Sequence, residues 1–458
     1  MDEAISRYLL KHARIAPESE GLKAPGPGLR LVVVIPALAE REGIGEVLGS
    51  LCRGSGRLSQ MEVIVVVNNA ADAPREIVED NLETLRELAA RRGDPFSIWT
   101  LDRASFGKAL DPNEAGVGAA RRIGMDLALR RLVQAGCPER SAIACLDADS
   151  PVSSGYVDAV LAVFDAPSAP LAGICRCHHP LPGDPTLARA IVIYEIWLRY
   201  IEWGLRLCGS PYAFQTIGSC ITTSPYGYAL ADGMPPRQAG EDFYFLQKIV
   251  KLGGMGGARG REAIRPVEGA IVHPAARPSH RVPFGTGRAL CRCLAEGLER
   301  YLQAEPPQAF GDLAALFSAV SGAFEQPERL RAICAGRLWR FVETLGGMGL
   351  LTRLRENSPD GERFARAVHG RFDSLQVVRY AHQCKTELGG VWLFQALLEV
   401  LRPQLPEEVV AGLPPLPSPA DDLGQWVAWL EVLRALCPPA RVRRNPLRGT
   451  GGKGKRIP

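Results

Sequence analysis

The chain has 458 residues, 46% hydrophobic and 23% charged, with 54 Lys and Arg against 50 Asp and Glu for a formal charge of +4. Such a length holds two or three domains with full cores, and the small, evenly spread charge makes no case for a nucleic-acid partner. The first residues, MDEAISRYLLKHARIAPESE, are acidic at once and lack a signal-peptide core, and no window reaches the ~18 apolar residues of a membrane span, so a cytoplasmic protein is expected.

Residues 1–28 form an N-terminal extension. From Leu29, LRLVVVIPAL is apolar and β-branched, EREGIGEVLGSLCR has helical spacing and MEVIVVVNNA is a second apolar run. A helix at Pro74–Arg92, a strand at Phe96–Leu101 and a helix at Gly116–Gln134 follow, and then a strand that ends in SAIACLDADSP at Ser141–Pro151. Continuous apolar runs of this kind suit a parallel sheet buried on both faces. Their βαβαβαβ order predicts a doubly wound α/β fold with ligands at the carboxyl ends of the strands. Those ends hold Pro36–Glu40, Asn68–Asp72 and Asp147–Asp149.

Asp147 and Asp149 alternate in register, so on a strand they face one side, where two close carboxylates call for a cation or a shared proton. Oxygen ligands suit magnesium or manganese, ions that complete their shell with phosphate and water. The bland alternative is a solvated loop start.

Further along, Cys175 and Cys177 with His178 and His179 offer zinc-type ligands, at a spacing shorter than structural zinc sites use. Cys145, Cys208 and Cys220 sit inside apolar runs, as reduced core thiols do, and Cys291 with Cys293 lies in a helical pattern that reads as core. Tyr194, Trp197, Tyr200 and Trp203 recur every three residues in a helix at Ala188–Leu205, a stripe for core packing, a membrane surface or a sugar ring. Arg277, Arg281 and Arg288 lie among glycines and prolines, as a lid for an anionic ligand or as a basic linker. After Pro306 the pattern is helical, and RVRRNPLRGTGGKGKRIP closes the chain as a basic tail of disordered type.

Taken together, VVVIPALAE at Val32–Glu40, GVGAARRIGMDLAL at Gly116–Leu129, CLDADS and AGEDFYFLQKIVKLGG at Ala239–Gly254 resemble, in order, the motifs of family 2 glycosyltransferases of the GT-A fold. The resemblance covers roughly Leu29–Arg288. It implies a GT-A type doubly wound mixed sheet at 29–290, and the helical pattern and basic composition beyond it set a helical C-terminal domain at 291–440 and the tail at 441–458. It implies metal-dependent, inverting transfer of a hexose from a nucleotide-sugar donor, with Mn2+ or Mg2+ held by Asp147, Asp149 and His273. Donor contacts then fall to Pro36, Ala37, Glu40, Asn68, Asn69, Arg121, Asp147 and Arg281. Asp242 becomes the base, with Glu241 as the alternative. An acidic pair at a helix start is also explained by the helix dipole, at about 0.3–1 kcal/mol, and His273 by an ordinary strand-end histidine. The sequence departs from the family pattern in VVNNAADAP, where an aspartate-rich turn is common, and in Ala37-Leu38-Ala39 before Glu40. A sugar-phosphate nucleotidyltransferase would carry a glycine-rich basic loop after the first strand, which is absent here; an inactive scaffold is the other alternative. The acceptor and the donor sugar and base are left open, as are retaining in place of inverting chemistry, peripheral membrane contact and homo-oligomerisation.

Overall fold

The runs Leu31–Ala37 (β1) and Met61–Asn68 (β2) show no alternation because every residue in both is buried. The computed structural model describes residues 2–12, 21–136, 138–166, 168–254, 261–281, 285–334, 336–418 and 423–436. The tail at 441–458 lies outside the described residues, as do residues 282–284 in the arginine-rich segment.

The helices α1 (Glu3–Lys11), α2 (Arg41–Leu51), α3 (Arg75–Ala90), α4 (Val117–Gln134) and α5 (Tyr156–Asp165) alternate with β1, β2, β3 (Ser97–Arg103) and β4 (Ala142–Cys145). β5 (Ala172–Cys177), α6 (Pro185–Leu207), β6 (Ile221–Thr223), α7 (Pro225–Leu230), α8 (Glu241–Gly254) and β7 (Ile264–Val272) follow. The seven strands pair in the order β3-β2-β1-β4-β6-β5-β7. β1, β2, β3 and β4 are mutually parallel, β6 runs antiparallel to β4 and β5, and β7 is parallel to β5. The fold is therefore α/β with a mixed sheet, as expected. Chain direction across the sheet switches at β1, which pairs with β2 on one side and β4 on the other. Open α/β sheets bind ligands in the crevice outside such a switch point.

β4 is shorter than the sequence implies. It ends at Cys145, so Asp147 and Asp149 lie in a turn beyond the strand and do not share a sheet face. The buried Glu62 of β2 is matched by Arg131 of α4, whose Nε and Nη2 reach its two oxygens at 2.5 and 2.8 Å. Removing either partner would leave an uncompensated buried charge.

Two hydrophobic clusters are present. One surrounds the sheet. The other joins α6 to α9 (Thr286–Glu296) and to the helices that follow, as far as Leu423–Leu436. The aromatic stripe of α6 faces this second cluster: Tyr200 and Trp203 are buried, and Tyr194 stacks on Trp197 with Tyr301 against both. Close approach is permitted by Gly204, where an added Cβ would lie 2.4 Å from the Phe310 ring. Packing thus accounts for the stripe. The only strand pairing in this part among the described residues is a two-residue ladder, Gln303–Ala304 with Val391–Trp392. No helix among the described residues is long and apolar enough to cross a membrane.

Candidate functional site at the carboxyl ends of β1 and β4

At the switch point one buried arginine joins two motifs. Arg121, in the first turns of α4, donates through Nη2 to Asp147 and through Nη1 to Glu241, the first residue of α8. Arg121 and Glu241 are 4% and 2% exposed, so the pair is shielded from solvent screening. Glycines make room for it. A Cβ on Gly218 would fall 2.2 Å from the Arg121 guanidinium, and one on Gly118 would fall 2.3 Å from the Arg237 carbonyl in the approach to α8. Asp242 adjoins the pair and its Oδ1 accepts only from the Phe243 amide among the hydrogen bonds seen for it, at 2.7 Å. Burial, followed by the Glu241 charge, pushes its carboxyl up to about 6, with Arg121 opposing.

A second cluster closes the other side. Arg277 reaches Asp149 through Nη2 at 2.8 Å and also pairs with Glu40, at the start of α2. Arg281 pairs with Glu40 at 2.6 Å and donates to the Leu38 carbonyl at 2.6 Å. Burial, then Asp147 and Glu40, raises the Asp149 carboxyl, and Arg277 works against that rise. Gly43 sets α2 against the aspartate turn, since a Cβ there would lie 2.8 Å from the Ala148 carbonyl oxygen. Arg288, by contrast, meets the exposed His280 at 2.7 Å and stands apart from this cluster.

Other expected donor contacts are placed differently. Pro36 and Ala37 are buried members of β1, so their side chains belong to the core. Asn68 and Asn69 are buried, and the Asn69 amide donates to the Ala70 carbonyl at 2.9 Å. Asn69 Oδ1 accepts from Asn81 Nδ2 at 2.9 Å, and Asn81 Oδ1 accepts the Ala39 amide at 2.9 Å. Ala39 has φ 51, a conformation rare for a residue with a Cβ. Asn68 and Asn69 thus shape the loop together with Asn81, which no motif in the sequence singles out.

His273 follows β7, and its Nδ1 must donate to the His178 carbonyl, 3.0 Å away, because that oxygen can only accept. In the neutral ring this leaves the lone pair on Nε2, the arrangement that metal-binding histidines show. Its amide donates to the Pro151 carbonyl at 2.8 Å, next to the aspartate turn. Among the described residues no group of three or more His, Cys, Asp or Glu side chains is arranged to hold a metal ion. The expected trio of Asp147, Asp149 and His273 is therefore not assembled, because Asp147 is turned onto Arg121. Asp149 and His273 remain as an oxygen and a nitrogen donor on segments joined by that Pro151 bond.

The Cys175–His179 segment does not suit zinc. Burial pushes the Cys175 thiol up to about 12. Burial opposes charge on His179, but its contacts with Cys177 and Glu195 outweigh that and raise it to about 10. Both ring nitrogens of His179 are engaged, by Glu195 at 2.9 Å and by Thr286 at 3.1 Å, and the segment belongs to no metal-holding group among the described residues.

The chemistry present is thus a cluster of five carboxylates, Glu40, Asp147, Asp149, Glu241 and Asp242, with three arginines at the strand ends beside the switch point of an α/β sheet. No protein-family model and no curated protein matches the chain. Among solved structures the chain is similar to S. aureus TarS 1–349 in complex with UDP-GlcNAc, at 14% identity over 78% of this chain and 92% of that one, TM-score 0.35. It is also similar to the mannosyltransferase PcManGT from Pyrobaculum calidifontis in complex with GDP-Man and Mn2+, at 16% identity over 81% and 92%, TM-score 0.31.

Proposed function

We propose that this chain is a glycosyltransferase of GT-A type that moves a hexose from a nucleoside-diphosphate donor to an acceptor hydroxyl, with inversion. The observation that carries this reading is the Arg121 bridge, which fixes the acidic pair of α8 against the aspartate turn of β4. In this reading the catalytic unit is 29–290, with a helical domain at 291–440, and the enzyme works in the cytoplasm.

Asp242 takes the acceptor's proton. A carboxyl near 6 is mostly ionised at neutral pH yet basic enough to assist the attack. Glu241 is locked to Arg121 and acts as its counter-charge. The acceptor oxygen bonds to the anomeric carbon while the bond from that carbon to the diphosphate oxygen breaks, and the electron pair leaves with the nucleoside diphosphate. Arg277 and Arg281 meet the leaving charge by exchanging Glu40 and Asp149 for phosphate oxygens. A manganese or magnesium ion, held by Asp149 and His273, would supply further neutralisation of the diphosphate.

The test is thermal shift with a panel of UDP- and GDP-sugars, with and without Mn2+, on wild type and Asp149→Ala. Ligand at about a hundredfold over its dissociation constant stabilises by roughly 2.7 kcal/mol. Metal-dependent stabilisation that Asp149→Ala abolishes supports the proposal. If folded wild type responds to no donor, the scaffold alternative replaces it.

A further inference from the structure

The histidine dipeptide His178-His179 touches the arginine-bearing segment on both of its sides. Before the arginines, the His178 carbonyl accepts from His273 Nδ1 at 3.0 Å, and the His178 amide donates to the Val272 carbonyl at 3.0 Å. After them, His179 Nε2 lies 3.1 Å from the hydroxyl of Thr286, the first residue of α9. Arg277 and Arg281, which grip Glu40 and Asp149, lie between these two attachments.

His179 is itself held from the helical part of the chain. Its amide and its Nδ1 both meet Glu195 Oε2 of α6 at 2.9 Å. Arg434, on the helix Leu423–Leu436, donates to the His179 carbonyl at 2.9 Å and to both Glu195 oxygens at 2.8 Å. Arg199 donates to Glu195 Oε1 at 2.8 Å and to the Cys177 carbonyl at 2.9 Å. His179, Glu195 and Arg199 are all buried. Ionic clusters of this kind seldom add stability over an apolar core of the same shape, and their best-attested use is to fix geometry.

Resting on the proposed function, we propose that His179 is a positioning residue for the diphosphate-binding arginines, acting on Arg281 through Thr286 and the adjoining Gly287, whose carbonyl accepts from the Ser279 amide at 3.1 Å, with Arg434 setting His179 from the last described helix. The helical region thereby reaches the donor site without touching the donor.

The experiment uses the full chain with Thr286→Val, Thr286→Ser and Arg281→Ala, and the double variant Thr286→Val with Arg281→Ala. Two quantities are measured beside the melting temperature: hydrogen exchange of the peptide carrying residues 274–281, and affinity for UDP and GDP with Mn2+. Thr286→Val is expected to raise exchange there several-fold at an unchanged melting temperature and to weaken nucleotide binding several-fold. Thr286→Ser, which keeps the hydroxyl, is expected to restore both. In the Arg281→Ala background the loss of affinity should vanish, since neighbours acting through one contact are not additive. Unchanged exchange, or an equal affinity loss with and without Arg281, overturns the proposal. A wild type that binds neither nucleotide removes the proposed function instead, and the exchange arm then still decides whether the histidine pair anchors the segment.

Discussion

Arg277 and Asp149 are paired at 2.8 Å, and the same guanidinium also engages Glu40. The carboxylate best placed to bind a cation therefore already has a counter-ion, which a metal ion must displace. Arg277→Ala is expected to strengthen Mn2+ binding in the absence of nucleotide and to weaken binding of the nucleoside diphosphate, whose phosphates lose a cation. Calorimetry with Mn2+ alone and then with UDP or GDP separates the two effects. A fall in both affinities would show that Arg277 orders the site and does not compete within it.

Asp242→Asn is expected to leave donor binding intact and to lower the transfer rate by about 10²–10⁴, the usual contribution of a positioned base. The base acts only when deprotonated, so the wild-type rate should rise with pH through about 6 and level off above it. Rates across pH 5 to 8, with binding measured at each pH, check this. A profile without a limb in that range would move the proton to another group.

Arg121→Met leaves Glu241 buried without its counter-charge, a change that costs about 3–5 kcal/mol when a buried pair is broken. Gly218→Ala drives a methyl into the same guanidinium, and overpacking of this kind costs about 1–3 kcal/mol. Urea unfolding of each variant gives these values. Combined, the two substitutions should cost less than their sum, because Gly218→Ala has nothing left to displace once Arg121 is gone.

His179 is raised from its ordinary value to about 10 in the folded chain, with the Cys177 and Glu195 contacts outweighing burial. A raised cationic group contributes stability in full below its unfolded value of about 6.5 and loses it as pH climbs through the folded value. The stability gap between wild type and His179→Gln should be widest at about pH 6 and narrow toward pH 10. Urea midpoints at three pH values test it, and a gap that widens with pH would contradict the sign.

The sheet is legible in the sequence because each strand is a local pattern. Val32–Ile35 and Val63–Val67 are apolar without interruption, and only a strand covered on both faces needs that. The acidic pairs Asp147 with Asp149 and Glu241 with Asp242 are legible for the same reason, as charges set abruptly at the ends of apolar or helical runs. Alternation misplaces Asp147 and Asp149 because strand length is fixed by pairing partners. β4 stops at Cys145, its last residue paired with β1 and one beyond its last partner in β6. The stripe Tyr194, Trp197, Tyr200 and Trp203 admits three roles on spacing alone, and Phe310 and Tyr301, far along the chain, decide among them.

What the sequence determined by itself was thus the α/β order, the acidic motifs and the helical character of the second half, since periodicity and short motifs depend on neighbours in the chain. Only the tertiary structure decided that Arg121 ties Asp147 to Glu241, that Arg277 occupies Asp149, that Asn81 holds Ala39 and that Arg434 reaches His179. These contacts join residues 120, 128, 42 and 255 positions apart. An ion pair or hydrogen bond over such a separation depends on two side chains meeting in space, and it imposes no spacing on the sequence between them.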